Sequence, residues 1–334
     1  MPSDHPISTP LAEGGRRRRK APWLAPVLAS GLACGTAGTS HEAEVSAAAA
    51  SRRTTPPPAA PPGDVQDANQ GQAPVSSTAD ATDYWRDAEL AELGCTPPAG
   101  MVLAASTWPV SVKPFSAWTP LAPWAFWAVA ASRPEVIVEL GTHHGGSYFL
   151  FCQAIAATGL PTRAFAVDSW RGDDHTGFYD GQVFAAVDAY NRRHYGKFST
   201  LLRMPFDAAL AEIADGSVGL LHIDGQHYYE NARHDFEAWL PKLNRGAVVF
   251  FHAINVRAQN CGVHKLWGEL ERRYPSFAFR QGAGLGILGV GDQLPQILQT
   301  LFSLGDGERA CVHRAYAILG ERVCQQQSPA SLRN

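Results

Sequence analysis

One strand–turn–helix pattern near the middle of the chain constrains the fold more than any other feature of the sequence. Four of the five residues of Val136–Leu140 are apolar, which is typical of a strand buried on both faces. Glycines occupy three of the next six positions, and the apolar segment Tyr148–Ile155 follows. Such a junction favours ligand binding in an open α/β sheet, because glycines allow close backbone approach and a helix N-terminus presents free N–H groups.

The exception in the first strand is Glu139, an acidic residue directly before the glycine-rich turn. A carboxylate at this position repels phosphate, but it can accept hydrogen bonds from hydroxyl groups or bind a cation. A structural or capping role is the alternative. We expect Glu139 to hold the ribose or the charged tail of a nucleoside cofactor.

Strand and helix patterns alternate from this point onward, and they predict a mostly parallel sheet with helices on both faces. A closing hairpin adds an antiparallel strand. The predicted strands are Val136–Leu140, Thr162–Val167, Phe198–Arg203, Val218–Ile223, Ala247–Phe251, Phe277–Arg280 and Leu285–Val290. The later predicted helices are Gln182–Tyr195, Phe206–Ala214, His227–Leu243, Val263–Tyr274, Gln293–Leu301 and Glu308–Leu319.

Polar residues follow the ends of several of these strands: Glu139, Asp168, Asp224 and His252. The carboxyl ends of parallel strands share one edge of the sheet, where open α/β folds bind their ligands. The sequence therefore predicts one site that collects these side chains. The alternatives are an N-cap role for Asp168 and a buried core histidine at position 252.

Composition divides the chain into four parts. Residues 1–82 are rich in Ala, Pro, Ser, Thr and Gly without a sustained period, so we expect a disordered low-complexity tail. Residues 83–132 form a helical lead-in, including an aromatic-rich helix over Ser116–Ser132. Residues 133–292 form the α/β domain, and residues 293–334 form a helical extension.

Charge and cysteine content narrow the classes of partner and compartment. The net charge of −3 lacks the basic excess of nucleic-acid-binding proteins. The six cysteines show no CxxC spacing, which predicts a reducing cytoplasmic location with neither a zinc site nor disulfides. The basic run Arg16–Lys20 and the apolar run after it leave a secretory signal as the alternative, but that apolar run is too short for a stable membrane span. The oligomeric state is open.

Four sequence motifs in order resemble those of class I S-adenosylmethionine-dependent methyltransferases, in the branch often found near glycosyltransferase and polysaccharide genes. The resemblance extends from Glu135 to Gly291. The motifs are Val138-Glu139-Leu140-Gly141-Thr142-His143-His144-Gly145-Gly146-Ser147, Val167-Asp168-Ser169-Trp170-Arg171-Gly172-Asp173, Leu221-His222-Ile223-Asp224-Gly225-Gln226-His227-Tyr228-Tyr229-Glu230 and Phe251-His252-Ala253-Ile254-Asn255-Val256-Arg257. The family implies a Rossmann-like fold of seven strands, the last of which is antiparallel.

The resemblance also implies which residues bind S-adenosylmethionine. Glu139 and Gly141 would contact its methionine part, Gly145 would shape the turn, and Asp168 would accept hydrogen bonds from the ribose. The remaining cofactor-binding residues that it implies are Ser147, Ser169, Trp170, Phe206 and Asp207.

Catalysis is expected after the fourth and fifth strands. Asp224 would face the methyl-transfer centre, and His227 and His252 are the candidate bases, because histidine titrates near neutral pH. If the protein binds a divalent ion such as Mg²⁺, its ligands would be Asp224, His252 and Asn255, and a metal-free site is the alternative. The branch usually has His-Asp after the fifth strand, whereas this chain has His252-Ala253, and alanine provides no ligand.

The predicted function is O-methylation of a small hydroxylated acceptor such as a sugar or glycan. Two alternatives are an NAD-dependent Rossmann oxidoreductase and a catalytically weakened cofactor-binding protein. The oxidoreductase normally requires a G-x-G-x-x-G turn, which is absent here. The weakened protein is suggested by Ala253.

Overall fold

The structure is a computed structural model that describes residues 93–112, 116–173, 177–258 and 260–326. The predicted tail, residues 1–82, lies outside the described residues. So does the predicted helix over residues 83–93, except for its last residue. Among the described residues, no helix has the length and apolar character needed to cross a lipid bilayer.

A seven-stranded sheet forms the centre of the fold, and two further short strands pair only with each other. In chain order the strands are β1 (Val136–Leu140), β2 (Arg163–Asp168), β3 (Gly172–Asp173), β4 (Gly177–Phe178), β5 (Ser199–Arg203), β6 (Val218–Ile223), β7 (Leu243–His252), β8 (Ser276–Phe279) and β9 (Leu285–Gly289). The order across the sheet is β5-β2-β1-β6-β7-β9-β8, and β3 and β4 form a separate small hairpin. The first five of these seven strands are parallel, and β9 is antiparallel to β7. The predicted α/β fold with a C-terminal antiparallel strand is confirmed, with β8 rather than β9 at the edge.

Helices cover both faces of the sheet. They are α1 (Ala122–Ser132), α2 (Tyr148–Thr158), α3 (Gly181–His194), α4 (Phe206–Ala209), α5 (Tyr229–Trp239), α6 (Val263–Leu270), α7 (Gln296–Ser303) and α8 (Asp306–Gln326). Adjacent residues of β7 show the two layers, because successive side chains of a strand point to opposite faces. Phe250 packs in the cluster that includes α1, α2 and α8, and Phe251 packs in the cluster that includes α5 and α6.

β1 and β6 match their predicted bounds, whereas β7 begins earlier than predicted, at Leu243, and several helices also differ. The helix predicted from Ser116 begins at Ala122, after a 3-10 turn. The helix predicted to reach Leu243 ends at Trp239, because Pro241 follows and lacks the N–H that an α-helix needs. The last helix is longer than predicted and extends to Gln326, since its apolar positions pack against the lead-in.

The prediction that the cysteines are unpaired is wrong for one pair. Cys95, in the lead-in, and Cys311, in α8, form a disulfide across 216 positions of sequence. Among the described residues, Cys152 and Cys261 are buried free thiols. Sequence spacing does not reveal this pair, because only the packing of α8 brings the two residues together. The disulfide therefore links the lead-in to the C-terminal extension.

We expect Cys95→Ser with Cys311→Ser to lower the free energy of unfolding by about 3–5 kcal/mol, because the disulfide restricts the unfolded chain. Urea unfolding with and without reductant measures the loss. A reductant should destabilise the wild type and leave the double variant unchanged. Alkylation of Cys95 and Cys311 in the unreduced, denatured wild type, mapped by mass spectrometry, would refute the pairing.

Candidate functional site

The glycine-rich turn after β1 is in close contact with the loop after β6. Gly141 has a φ of +91°, and a Cβ atom at this position would lie 2.2 Å from the carbonyl oxygen of Asp224. The Gly141 N–H donates to Val167 O at 2.9 Å, and the Asp224 N–H donates to Leu140 O at 2.9 Å. These contacts fix the carboxyl ends of three neighbouring strands against one another.

Asp168, at the end of β2, holds two loops together with its carboxylate. One oxygen accepts from the His143 N–H at 2.8 Å, and the other accepts from the Trp170 N–H at 2.7 Å. Both donor residues have left-handed backbone conformations, with φ of 50° for His143 and 49° for Trp170. Such conformations are uncommon for non-glycine residues and persist where surrounding contacts fix them.

A cavity of about 350 Å³ lies at this edge of the sheet. Its lining residues come from the carboxyl-terminal ends of β1, β2, β5 and β6, from the β3–β4 hairpin and from α4 and α5: Gly141, His143, Asp168, Ser169, Gly172, Tyr179, Pro205, Phe206, Asp224, Gly225, Gln226, Asn231 and Asp235. Five of the predicted site residues thus line this one cavity: Gly141, Asp168, Ser169, Phe206 and Asp224.

Other predicted cofactor-binding residues lie behind this wall or at the surface. Gly145 has a φ of +81° and packs against Phe149, so it shapes the turn. Ser147 is buried at the N-cap of α2. Trp170 is completely buried, and its indole N–H donates to His143 O. Asp207 is exposed and binds His234 at 2.8 Å.

Glu139 lies beneath the cavity and contacts another buried ionisable group. The register of β1 and β6 places Glu139 beside His222. The Glu139 Oε2 and His222 Nδ1 atoms are 2.7 Å apart, and both side chains are completely buried. Burial raises the pKa of Glu139, while its hydrogen bond with His222 opposes this shift. Glu139, which was expected to contact a cofactor directly, is not among the residues that line this cavity. The observed partner of Glu139 is His222.

Asp224 is the centre of the predicted catalytic group. Its Oδ1 atom lies 2.9 Å from His252 Nδ1 and 3.2 Å from His227 Nε2. The indole N–H of Trp118 donates to the other oxygen at 3.2 Å. The three residues predicted for catalysis are therefore in direct contact.

This cluster favours the ionised form of Asp224. Burial alone would raise the pKa of Asp224, but the positive charge of His252 and the hydrogen bonds from both histidines hold it well below its ordinary value. Burial alone would lower the pKa of His252, but the charge and hydrogen bond of Asp224 raise it above 6.5. The pair thus has the electrostatics of a carboxylate that orients and stabilises an imidazolium.

Comparison with known proteins agrees with this geometry. Residues 138–254 match the family model described as a methyltransferase domain. Residues 138–254 form a methyltransferase domain. This match agrees with the predicted resemblance, and the matched residues include the turn after β1, Asp168, Asp224 and His252.

A relative of this chain is a much longer protein. The chain is 48% identical over 197 residues to protein y4gI of Sinorhizobium fredii (strain NBRC 101917 / NGR234), an alignment that covers 59% of this chain and 22% of that protein. The chain thus spans about a fifth of the length of this relative.

Two solved structures are also similar. The SAH-bound methyltransferase PaMTH1 of Podospora anserina is 14% identical, with 51% of this chain and 77% of that chain covered and a TM-score of 0.40. The apo structure of CalS11, a TDP-rhamnose 3′-O-methyltransferase of calicheamicin biosynthesis, is 19% identical, with 52% and 79% covered and a TM-score of 0.40.

The donor set of the methyltransferase domain does not fit the expected Mg²⁺ site. Asp224, His227 and His252 offer one oxygen and two nitrogen atoms within 4.8 Å of one another. Mg²⁺ prefers oxygen ligands, whereas two imidazoles and a carboxylate suit a transition metal. The predicted third ligand, Asn255, donates its side-chain N–H to Arg280 O. Ala253 offers no side-chain donor after β7, as the sequence indicates.

Sequence reasoning missed three residues at this site. His222 lies inside a quoted motif, but no role was predicted for it. Trp118 was assigned to the core, although its indole also contacts Asp224. Asp235, in the middle of α5, lines the cavity. The local sequence pattern around these three residues does not predict a role in the site, because each of them reaches it only through tertiary packing.

We expect Gly141→Ala to destabilise the domain more than Gly159→Ala. Both glycines have positive φ, so alanine costs about 1 kcal/mol at either position. Only at Gly141 would the new methyl group overlap a backbone carbonyl, whereas Gly159 has open space. Urea unfolding of both variants measures the difference, and equal losses would contradict the close contact with Asp224.

Proposed function

We propose that this protein transfers a methyl group from S-adenosylmethionine to a hydroxyl group of a small acceptor, such as a sugar. One observation carries the proposal: Asp224 lines the cavity and holds two histidines, at 2.9 and 3.2 Å, within a methyltransferase domain. The same cavity offers Asp168 and Phe206 to a nucleoside. Cofactor-binding groups and a base are thus close enough to serve one reaction.

The loop after β2 supports binding of a nucleoside. An ionised carboxylate has about four acceptor positions, and the two N–H groups bound to Asp168 use one on each oxygen. The remaining positions suit the two hydroxyl groups of a ribose. Ser169 lies beside Asp168 in the lining, and the Phe206 ring offers an apolar surface to a base. In this proposal Gly141 leaves room for the amino acid part.

The residues around Asp224 support removal of a proton from the acceptor. When bound, S-adenosylmethionine supplies a methyl group on a positively charged sulfur. His252 takes the proton of the acceptor hydroxyl, and Asp224 orients its imidazole and stabilises the protonated form. Trp118 packs against His222 and His252 and covers Asp224, which limits the access of water. His227 is the second base in contact with Asp224.

The two alternative functions lead to different measurements. An oxidoreductase would bind NAD, but Glu139 and the absence of G-x-G-x-x-G argue against a pyrophosphate at the turn. A weakened relic would bind S-adenosylhomocysteine and fail to turn over. Calorimetry with both cofactors, followed by label transfer to a panel of nucleotide sugars and glycans, separates the three functions.

We expect Asp168→Asn to weaken S-adenosylhomocysteine binding by about tenfold or more, because a charge-assisted acceptor for the ribose is lost. Isothermal titration calorimetry measures the dissociation constant. Asp188→Asn is the matched control, since Asp188 forms a surface pair with Arg192. An Asp168→Asn affinity equal to that of the control would exclude the ribose contact.

We expect His252→Gln to lower kcat/KM by about 10²–10⁴-fold, the usual contribution of a general base, while cofactor affinity changes little. His234→Gln is the control, because His234 pairs with Asp207 at the surface. In the wild type, kcat/KM should fall as the pH decreases through the raised pKa of His252, because the base must be neutral. Unchanged activity in His252→Gln would remove this residue from the mechanism.

A further inference from the structure

Asp235 is a buried acid that faces the cavity without a partner. It lies on α5, is 7% exposed and lines the cavity. Within the described residues its carboxylate forms no hydrogen bond and no ion pair. Buried polar atoms are nearly always hydrogen-bonded, and an isolated buried carboxylate is costly. The Asp235 carboxylate is thus placed to accept a hydrogen bond from a donor group of a bound ligand.

The surroundings of Asp235 define what kind of ligand fits. A Cβ atom built on Gly225 would lie 2.6 Å from the Phe206 ring and 3.6 Å from Asp235 Oδ2. The ring and the carboxylate therefore border the same small region, which glycine keeps free of a side chain. A flat heterocycle packed on Phe206 would direct one polar edge toward Asp235.

The neighbouring acid, Asp207, is engaged elsewhere. Its carboxylate binds His234 Nε2 at 2.8 Å, and its side chain is 63% exposed. Asp207 therefore faces solvent, although the resemblance implied that it binds the cofactor. The carboxylate that reaches the cavity at this end belongs to Asp235 instead.

The titration of Asp235 agrees with an unpaired buried acid. Burial raises its pKa to about 7, while the positive charge of His234 opposes the shift. The folded protein without ligand thus keeps a destabilising group at its cavity wall. Proteins retain such groups where function requires them.

We propose that Asp235 accepts a hydrogen bond from the exocyclic amino group of the cofactor's adenine and thereby selects adenine among purine bases. This inference rests on the proposed function, because it requires a nucleoside cofactor in the cavity. The Phe206 ring packs against the face of the base, and Asp235 accepts a hydrogen bond at the edge of the base. Asp235 is a specificity-determining residue and takes no part in proton transfer.

The test compares Asp235→Leu, Asp235→Asn and the control Asp292→Leu with the wild type, because Asp292 pairs with Arg245 at the surface. Leucine has the same branching as aspartate, is larger and removes the acceptor, whereas asparagine matches the size of aspartate and keeps a neutral acceptor. Calorimetry at about pH 8.5, where the carboxylate is ionised, measures binding of S-adenosylhomocysteine and of its 6-deamino analogue. Urea unfolding measures the stability of each protein without ligand.

We expect the wild type and Asp292→Leu to bind S-adenosylhomocysteine at least about tenfold more tightly than the 6-deamino analogue. In Asp235→Leu this preference should shrink to within about twofold, and Asp235→Asn should be intermediate. Asp235→Leu should also be at least as stable as the wild type without ligand, because an unpaired buried acid is replaced by an apolar group.

The outcomes separate the two proposals. A wild type that binds neither ligand would overturn the proposed function and this inference with it. A wild type that prefers S-adenosylhomocysteine, with the same preference in Asp235→Leu, would overturn the inference alone. Marked destabilisation of ligand-free Asp235→Leu, with its preference intact, would show a structural role for Asp235 and would also overturn the inference.

Discussion

The adjacency of β1 and β6 is the constraint on which the site depends. The chain leaves β1 toward β2 and later returns to β6 on the other side, so the loops after these strands separate at one point of the sheet. Gly141 allows the two loops to approach until no side chain fits between them. The same pairing places Glu139 beside His222 beneath the cavity. A side chain at position 141 would therefore disturb both the cavity and the alignment of Asp224.

Four carboxylates near this edge have different environments, and these environments give them different properties. Asp168 accepts two backbone N–H groups and fixes the loops. Asp224 is held ionised by two histidines. Burial raises the pKa of both Glu139 and Asp235, but Glu139 has His222 as a partner and Asp235 has none. Distinct environments for chemically similar groups are a common basis for dividing roles within an active site.

The sequence was a good guide to the strands and to the polar residues at their ends. β1 and β6 match their predicted bounds, because continuous apolar runs between turn signals leave little choice. Helix ends were less predictable, since proline, 3-10 turns and packing against distant segments decide them. The disulfide between Cys95 and Cys311 was missed because it depends on the docking of α8, which no local pattern encodes.

The sequence by itself determined the alternation of strands and helices and the presence of acids and histidines after successive strands. Local propensity and periodicity are sufficient for this, and parallel strands necessarily bring their carboxyl ends to one edge. Only the tertiary structure decided which side chains share a hydrogen bond. The register of β1 and β6 pairs Glu139 with His222, and the packing of α5 turns Asp235 toward the cavity. These outcomes depend on distances of a few ångströms between segments far apart in the chain, and such distances are set by the packing of the whole core.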